Sequence, residues 1–483
     1  MNSNNKKNSK IMIIALLLCA MMSACQVGPN YRPVSMDVPA KWPGVEREGE
    51  KALQSAEAER LANWWTTLND PALSDLVKRA LEGNRDIKIA LTRIRQARAV
   101  LGEAGKQLHP SVQGSATYRR TQSGTPTSDD PDPSAFSTGS DYYNAGFDAS
   151  WEIDLFGKRH RNIEAAAAEL EASGEGYRSA LVSMVSETVS SYVRLRTLQK
   201  QLEIVSRNLE IQEKALSVLE DKAAAGLIGS LQVQQSRYNV ENTRARIPGY
   251  RGSIEETLNS LAILLGEMPG ELHDEFSSPS PIPVPEVEIV IGIPADILRR
   301  RPDIRRAERA LAAQTARVGA ATADLYPSLR LTGALGLTAS SLDNFFSDEN
   351  AAVNISPFIS IPVFNRNRIR DQIEIQNAIQ ERTFIEYETT VLNAIKEVRD
   401  AIMAYGEEQK RYRMLTKGAT AAQMALEIAD ERFSSGLVDF LDVLDAQRAL
   451  LSFEESRASS SGTITLGLIR LYKALGGGWD QEH

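Results

Sequence analysis

The sequence predicts a mixed membrane protein in which a few transmembrane β-strands are continued by very long coiled-coil helices, the whole pattern occurring twice along 483 residues. Three observations lead there. Motifs recur at a nearly constant spacing, which marks an internal duplication. Asp86-Ile87-Lys88 returns as Asp303-Ile304-Arg305, and Leu108-His109-Pro110-Ser111-Val112 returns as Leu325-Tyr326-Pro327-Ser328-Leu329, both 217 residues on. Gly226-Leu227 returns as Gly436-Leu437, and Leu265-Gly266 as Leu475-Gly476, both 210 residues on. Second, short segments alternate apolar and polar residues one by one. Third, residues 159–222 contain no proline, and a helix of that length is roughly 95 Å long. That is too long for a compact domain and calls for a rod or a tube.

The chain opens with a secretory signal. Residues 11–22 are its longest uninterrupted apolar run, preceded by Lys6, Lys7 and Lys10; the run is too short to span a bilayer but fits an export signal occupying 1–24. Met22-Ser23-Ala24-Cys25 resembles a bacterial lipobox, with Met22 in place of the usual leucine, and makes Cys25 the lipid attachment site. The residue after the cysteine is Gln26 and not aspartate, which by analogy with known lipoproteins points to the outer membrane. Cys19 leaves with the signal, so Cys25 is the only cysteine of the mature chain and no internal disulfide forms. Losing three lysines takes the net charge from −8 to −11, which argues against nucleic acid as a partner. An apolar fraction of 42% is that of a folding chain.

After a lipidated linker (25–60), the first repeat covers 61–270 and the second 294–483, each reading helix, strand, polar loop, strand, very long helix, break, helix. Between them, 271–293 carries prolines at 279, 281, 283 and 285, which suit an extended tether. The long helices step their apolar residues by three and four: Leu195, Leu198, Leu202, Val205 and Leu209, then Val391, Ile395, Val398, Ile402 and Tyr405. That spacing buries one stripe against neighbouring helices.

Four segments alternate: 112–118, 147–155, 329–337 and 353–363, with Phe358 out of phase. In the second, Phe147, Ala149, Trp151, Ile153 and Leu155 share one face, and Asp148, Ser150, Glu152 and Asp154 the other, as a strand between lipid and water requires. Bare peptide edges are not tolerated in hydrocarbon, and closed bacterial barrels need about eight strands or more. One chain cannot close a barrel; two, three or four copies supply eight, twelve or sixteen strands. Past the strands come Lys158, Arg159 and Arg161, and in the second repeat Arg366, Arg368 and Arg370. Cations oppose the dipole at a helix start, so these six residues are expected to meet lipid phosphates where the barrel gives way to helices. At the far end of the rods, the helices turn at Gly226-Leu227 and Gly436-Leu437, where glycine supports a left-handed cap.

Asn63-Trp64-Trp65 with Asp70, Leu73, Ala80-Leu81 and Asn84, then IGIPADILRRRPDIRRAER (291–309), and the closing LYKALGGGW (471–479) resemble the outer-membrane efflux lipoproteins of the TolC/OprM type, which include NodT-like proteins. The resemblance covers nearly the whole mature chain. It implies a homotrimer whose strands form one twelve-stranded outer-membrane barrel, continued into the periplasm by a tube of coiled-coil helices. It also implies a passive exit duct for small molecules such as antibiotics, anchored by lipid in the outer membrane. An inner-membrane transporter of the resistance-nodulation-division class would drive the pump, and a periplasmic adaptor would dock on the tips at Gly226, Leu227, Gly436 and Leu437. Leu441 and Asp445 lie four apart on one helical face, and at matching positions the family closes its tunnel. Threefold symmetry would bring three Asp445 carboxylates together, and Arg448 would hold a neighbouring helix through a charged pair. The first repeat has Gln235 where the second has Asp445, so this periplasmic gate is expected to be asymmetric.

An enzyme is disfavoured: there are four histidines, none in a metal-binding pair, no nucleophile elbow, and no phosphate loop at Gly105-Lys106. No metal or cofactor is expected. Two alternatives remain: a periplasmic adaptor lipoprotein, which would not need paired amphipathic strands, and a duct serving an ATP-driven exporter of polypeptides.

Overall fold

The computed structural model describes residues 26–34, 61–121, 140–284 and 295–479. The signal and Cys25 lie outside them. Two compact units emerge, one formed by the N-terminal segment through Val34 with Ile94–Ser173 and Ala307–Tyr387, the other by Ser35–Arg93, Gly174–Arg306 and Glu388–His483. Each sequence repeat contributes to both.

The first unit holds the only sheet among the described residues, four antiparallel strands in the order β1 (Ser111–Thr121), β2 (Ser140–Ile153), β3 (Ser328–Ala339), β4 (Ala351–Ser360). The register puts Gly114, Phe147, Leu335 and Val353 in one cross-strand row, and Gln113, Asp148, Ala334 and Asn354 in the next. Apolar and polar residues therefore sort to opposite faces, as the alternation required. Phe358 falls on the polar face opposite Arg330, which accounts for its break in phase. Boundaries differ from expectation. β2 begins at Ser140 and stops before Leu155, and β4 begins at Ala351 and stops before Ile361. The backbone leaves the ladder at Asp154 and at Ile361, the residue before Pro362.

Gly146 and Gly336 face each other on the polar side. A Cβ on Gly146 would lie 2.6 Å from the Leu335 carbonyl oxygen, and one on Gly336 would lie 2.5 Å from that of Ala145. The two backbones approach so closely at this row that only glycine fits. Among the described residues, β1 and β4 are each paired along one side only.

In this unit α3 (Lys158–Ala224) and α7 (Arg366–Ser434) begin just beyond the sheet, and α2 (Arg85–Lys106) and α6 (Pro302–Ala323) lead into it. The long uninterrupted helices match the proline-free runs. The N-terminal segment packs here too. Gly28, at φ +88°, lies so close to Gly319 of α6 that a Cβ on it would sit 2.5 Å from the Gly319 Cα. The Val27 N–H donates to the Phe156 carbonyl at 3.2 Å.

The second unit gathers the motifs that the sequence had set apart. Trp64 is fully buried and stacks on Tyr472 at 5.0 Å, and the Gly478 N–H donates to the Leu61 carbonyl at 2.9 Å. Asp70 caps α1 (Pro71–Gly83) through the Leu73 N–H at 3.1 Å and accepts the Tyr192 hydroxyl at 2.6 Å. The duplication repeats one clamp in two chemistries. Asn84 donates to the Leu264 carbonyl at 2.8 Å. Their counterparts, Arg301 (84 plus 217) and Ala474 (264 plus 210), bond likewise at 2.6 Å. The 271–293 segment is not simply a tether. Leu272 and Phe276 belong to the core, and the carbonyls of Phe276, Ser278 and Pro283 accept from Gln199, Arg196 and Thr465. Residues 285–294 lie outside the description.

Candidate functional site

Both helix turns end in the same hydrogen-bonded cap. After α3, the Gly226 N–H donates to the Ala223 carbonyl and the Leu227 N–H to that of Lys222, each at 2.9 Å. After α7, Gly436 donates to Phe433 at 3.0 Å and Leu437 to Arg432 at 2.9 Å. The glycines take φ +70° and +71°, the left-handed conformation that this cap needs. The leucine that follows such a glycine commonly packs back on its own helix. Here Leu227 and Leu437 are 73% and 70% exposed, aimed outward from both turns.

The return helices α4 (Ser230–Arg244) and α8 (Phe440–Ala474) start four residues past the turn glycines. Asp439 caps α8 through the Phe440 N–H at 2.6 Å. Phe440, Val443 and Leu444 pack with Val233 and Leu219 into an apolar cluster behind the turns. Leu441, Asp445 and Arg448, at spacings of four and three, share the opposite, open face; Asp445 has 76% of its side chain exposed.

Arg448 departs from the expected charged pair. Its nearest carboxylate, Asp445 at 3.5 Å, stands one turn back on its own helix. Across to α4 it donates to the Asn239 side-chain oxygen at 3.0 Å and to the Tyr238 hydroxyl, with its guanidinium 5.4 Å from the Tyr238 ring centre. Tyr238 is the residue that motif reasoning missed. The repeat spacing pointed to it, because 448 minus 210 is 238.

Of the six cations assigned to the membrane interface, three are engaged within the chain. Lys158 pairs with Asp324 at 2.5 Å, and Arg159 reaches Gln107 at 2.6 Å and Glu152 at 2.8 Å. Arg161 contradicts the expectation outright, since only 1% of it is exposed. It donates to Asn30 at 2.7 Å, to the Val27 and Gly28 carbonyls at 3.3 and 3.4 Å, and to Glu164 at 2.8 Å. Desolvating a guanidinium requires such saturation, and its task is to hold the N-terminal segment. Arg366, Arg368 and Arg370 are exposed and have no side-chain partner among the described residues.

Among the described residues no group of three or more His, Cys, Asp or Glu could hold a metal ion. No described helix is long and apolar enough to cross a membrane.

Residues 76–267 and 293–477, one stretch in each repeat, match the family described as Outer membrane efflux protein. The chain is 30% identical over 471 residues to the solvent efflux pump outer membrane protein SrpC of Pseudomonas putida, covering 97% of this chain and 99% of that one. It is 29% identical to the cation efflux system protein CusC of Escherichia coli O6:H1, over 97% and 99% of the two chains. Among solved structures, the outer-membrane channel OprN superposes with a TM-score of 0.84 at 34% identity, over 94% of this chain and all of that one. The fold is that of these outer-membrane channels.

Proposed function

Because the chain belongs to the outer membrane efflux protein family, and so is an outer-membrane channel for efflux, we propose that three copies form one passive exit duct of a tripartite pump. The observation that supports this best is the open-edged sheet. Four strands with unpaired outer edges on β1 and β4 must be completed by other chains before they can sit in lipid, and three copies give an even-numbered barrel of the bacterial kind. Cys25 carries the lipid anchor, and the saturated Arg161 site holds the segment beginning one residue later.

Energy comes from an inner-membrane transporter of the resistance-nodulation-division class, coupled through a periplasmic adaptor that docks on the outward leucines 227 and 437. The face bearing Leu441, Asp445 and Arg448 closes the periplasmic end, with Tyr238 and Asn239 as the neighbouring helix's half of the latch. Arg366 and Arg368 meet lipid phosphates. The cargo is small: SrpC is named for solvent efflux and CusC for cation efflux, which favours small molecules over polypeptides.

The test is deletion of the gene in its host, followed by susceptibility to solvents, dyes, detergents, antibiotics and metal ions. Hypersensitivity restored by the intact chain supports the reading. Unchanged susceptibility, with the transporter and adaptor present and no second duct expressed, refutes it.

A further inference from the structure

Two apolar clusters tie α3 to α8 in the second unit, and a polar layer separates them. Nearer the turns, Leu219, Val233 and Leu444 share one cluster; farther from them, Val205 and Leu451 share the other, with Ile247 packed against it. On α3, Gln212 lies seven residues from both Val205 and Leu219, and on α8 Gln447 lies between Leu444 and Leu451. The two glutamines thus hold the core positions of the heptad between the clusters. Asn239 stands between Val233 on α4 and Ile247 at the start of α5, and its side-chain oxygen accepts from Arg448 Nε of α8 at 3.0 Å.

All three amides are buried: Gln212 and Asn239 are 3% exposed and Gln447 5%. Yet Gln212 Oε1 and Nε2, Asn239 Nδ2 and Gln447 Oε1 have no hydrogen-bond partner among the described residues. One turn along α3, Asn208 shows the usual outcome, its amide donating to the Ile204 carbonyl at 3.1 Å and to Glu454 at 3.5 Å. An unpaired buried polar atom is costly, and four in one layer call for a common partner. The shared fold does not demand these amides. At 210 residues on, the second repeat has Ala422 in place of Gln212 and Ala449 in place of Asn239.

The four atoms are two acceptors and two donors. A water molecule donates two hydrogens and accepts two, so one water satisfies all of them, as buried waters do for polar groups that lack another partner. The same water settles which way Asn239 faces. Arg448 only donates, so Asn239 must turn its oxygen to Arg448 and its NH2 inward, and an acceptor inside the layer is what holds it there.

We propose that Gln212, Asn239 and Gln447 enclose one buried water, and that this water holds Asn239 in the orientation that accepts from Arg448. This deepens the latch of the periplasmic end, on which it rests, by making Gln212 and Gln447 positioning residues that act through the water and Asn239.

Conductance of the full-length protein in planar bilayers tests it. Gln447→Met keeps the length of the side chain and removes the acceptor, so the open fraction should rise by up to about tenfold, no further than with Arg448→Ala. Gln447→Ala should leak less than Gln447→Met, because the space it frees lies among polar groups and admits a second water. A residue that only packs would give the reverse order, since the larger truncation costs more. In the Arg448→Ala background Gln447→Met should add nothing, whereas an independent packing defect would add its full effect. Gln212→Met reads the same site from α3, and decides it if the α8 variant yields too little oligomer. Parent-like conductance in both methionine variants beside a leaky Arg448→Ala, the reverse order of methionine and alanine, or full additivity with Arg448→Ala each overturns the water site and leaves the latch standing. Parent-like conductance in Arg448→Ala itself brings down both.

Discussion

Arg448 donates to the hydroxyl of Tyr238, and the two residues occupy the same position of the two repeats, 210 residues apart. The contact joins the return helices of the two halves through a cation in one and an aromatic ring in the other. A hydrogen bond to a charged group contributes about 1.5–3 kcal/mol when shielded, and less for a side chain 41% exposed as Arg448 is. Arg448→Ala should therefore raise the open fraction of the duct by about tenfold at most, with Tyr238→Phe smaller in the same direction. Asp445→Ala should also leak. Conductance in planar bilayers checks all three, and values equal to the parent's would remove this face from the gate.

Leu227 and Leu437 extend from rigid caps into solvent, so changing them should leave the fold alone. Leu227→Ser with Leu437→Ser should give normal oligomer yield and melting temperature together with loss of adaptor capture in pull-downs. Normal capture would move docking elsewhere.

Arg161→Ala strands the Val27 and Gly28 carbonyls and Asn30, a change that costs about 3–5 kcal/mol when it breaks a buried charged site. Proteolysis should then nick the segment ahead of residue 34 while the helices remain protected. Arg161→Lys should not rescue it, because one ammonium cannot serve partners spread around a planar fork. Protection equal to the parent's in either variant would refute the strap.

At the crossing of α1 with α5 (Ile247–Leu265), a Cβ on Gly83 would lie 1.8 Å from the Leu265 carbonyl oxygen. Gly83→Ala should destabilise the protein by about 2–3 kcal/mol through forced separation of the two backbones, seen as a lower melting temperature.

Burial, and then the hydrogen bond to Asp70, push the Tyr192 hydroxyl up to about 12. A group whose pKa is raised on folding contributes fully below its unfolded value, near 10 for tyrosine, and loses that contribution as pH rises through the folded value. Stability should therefore fall between pH about 10 and 12, and Tyr192→Phe should flatten that part of the profile. An unchanged alkaline limb would show that the proton on Tyr192 is not linked to folding.

Much of this was legible in the residues because periodicity survives tertiary context: the long helices, the four strands and their two faces follow from spacing alone. The clamps of Asn84 on Leu264 and of Arg301 on Ala474 obey the repeat offsets, but only the structure revealed them. Other features escaped because charge carries no address. Lys158, Arg159 and Arg161 read alike in sequence, yet one pairs with the end of α6, one with the end of α2 and β2, and one is sealed beneath the N-terminal segment. Strand ends at Ser140 and Ala351 were missed because small and polar residues beside a loop can join a ladder without continuing an apolar-polar alternation.

The two bare margins of the sheet also have a genetic meaning. If a duct takes its wall from three chains, a variant that builds its helices but cannot order β4 would still enter mixed assemblies and spoil them. At equal expression only about one assembly in eight would escape it. Such an allele would act as a dominant poison in cells that also carry the healthy gene, whereas a chain that never folds would be silent.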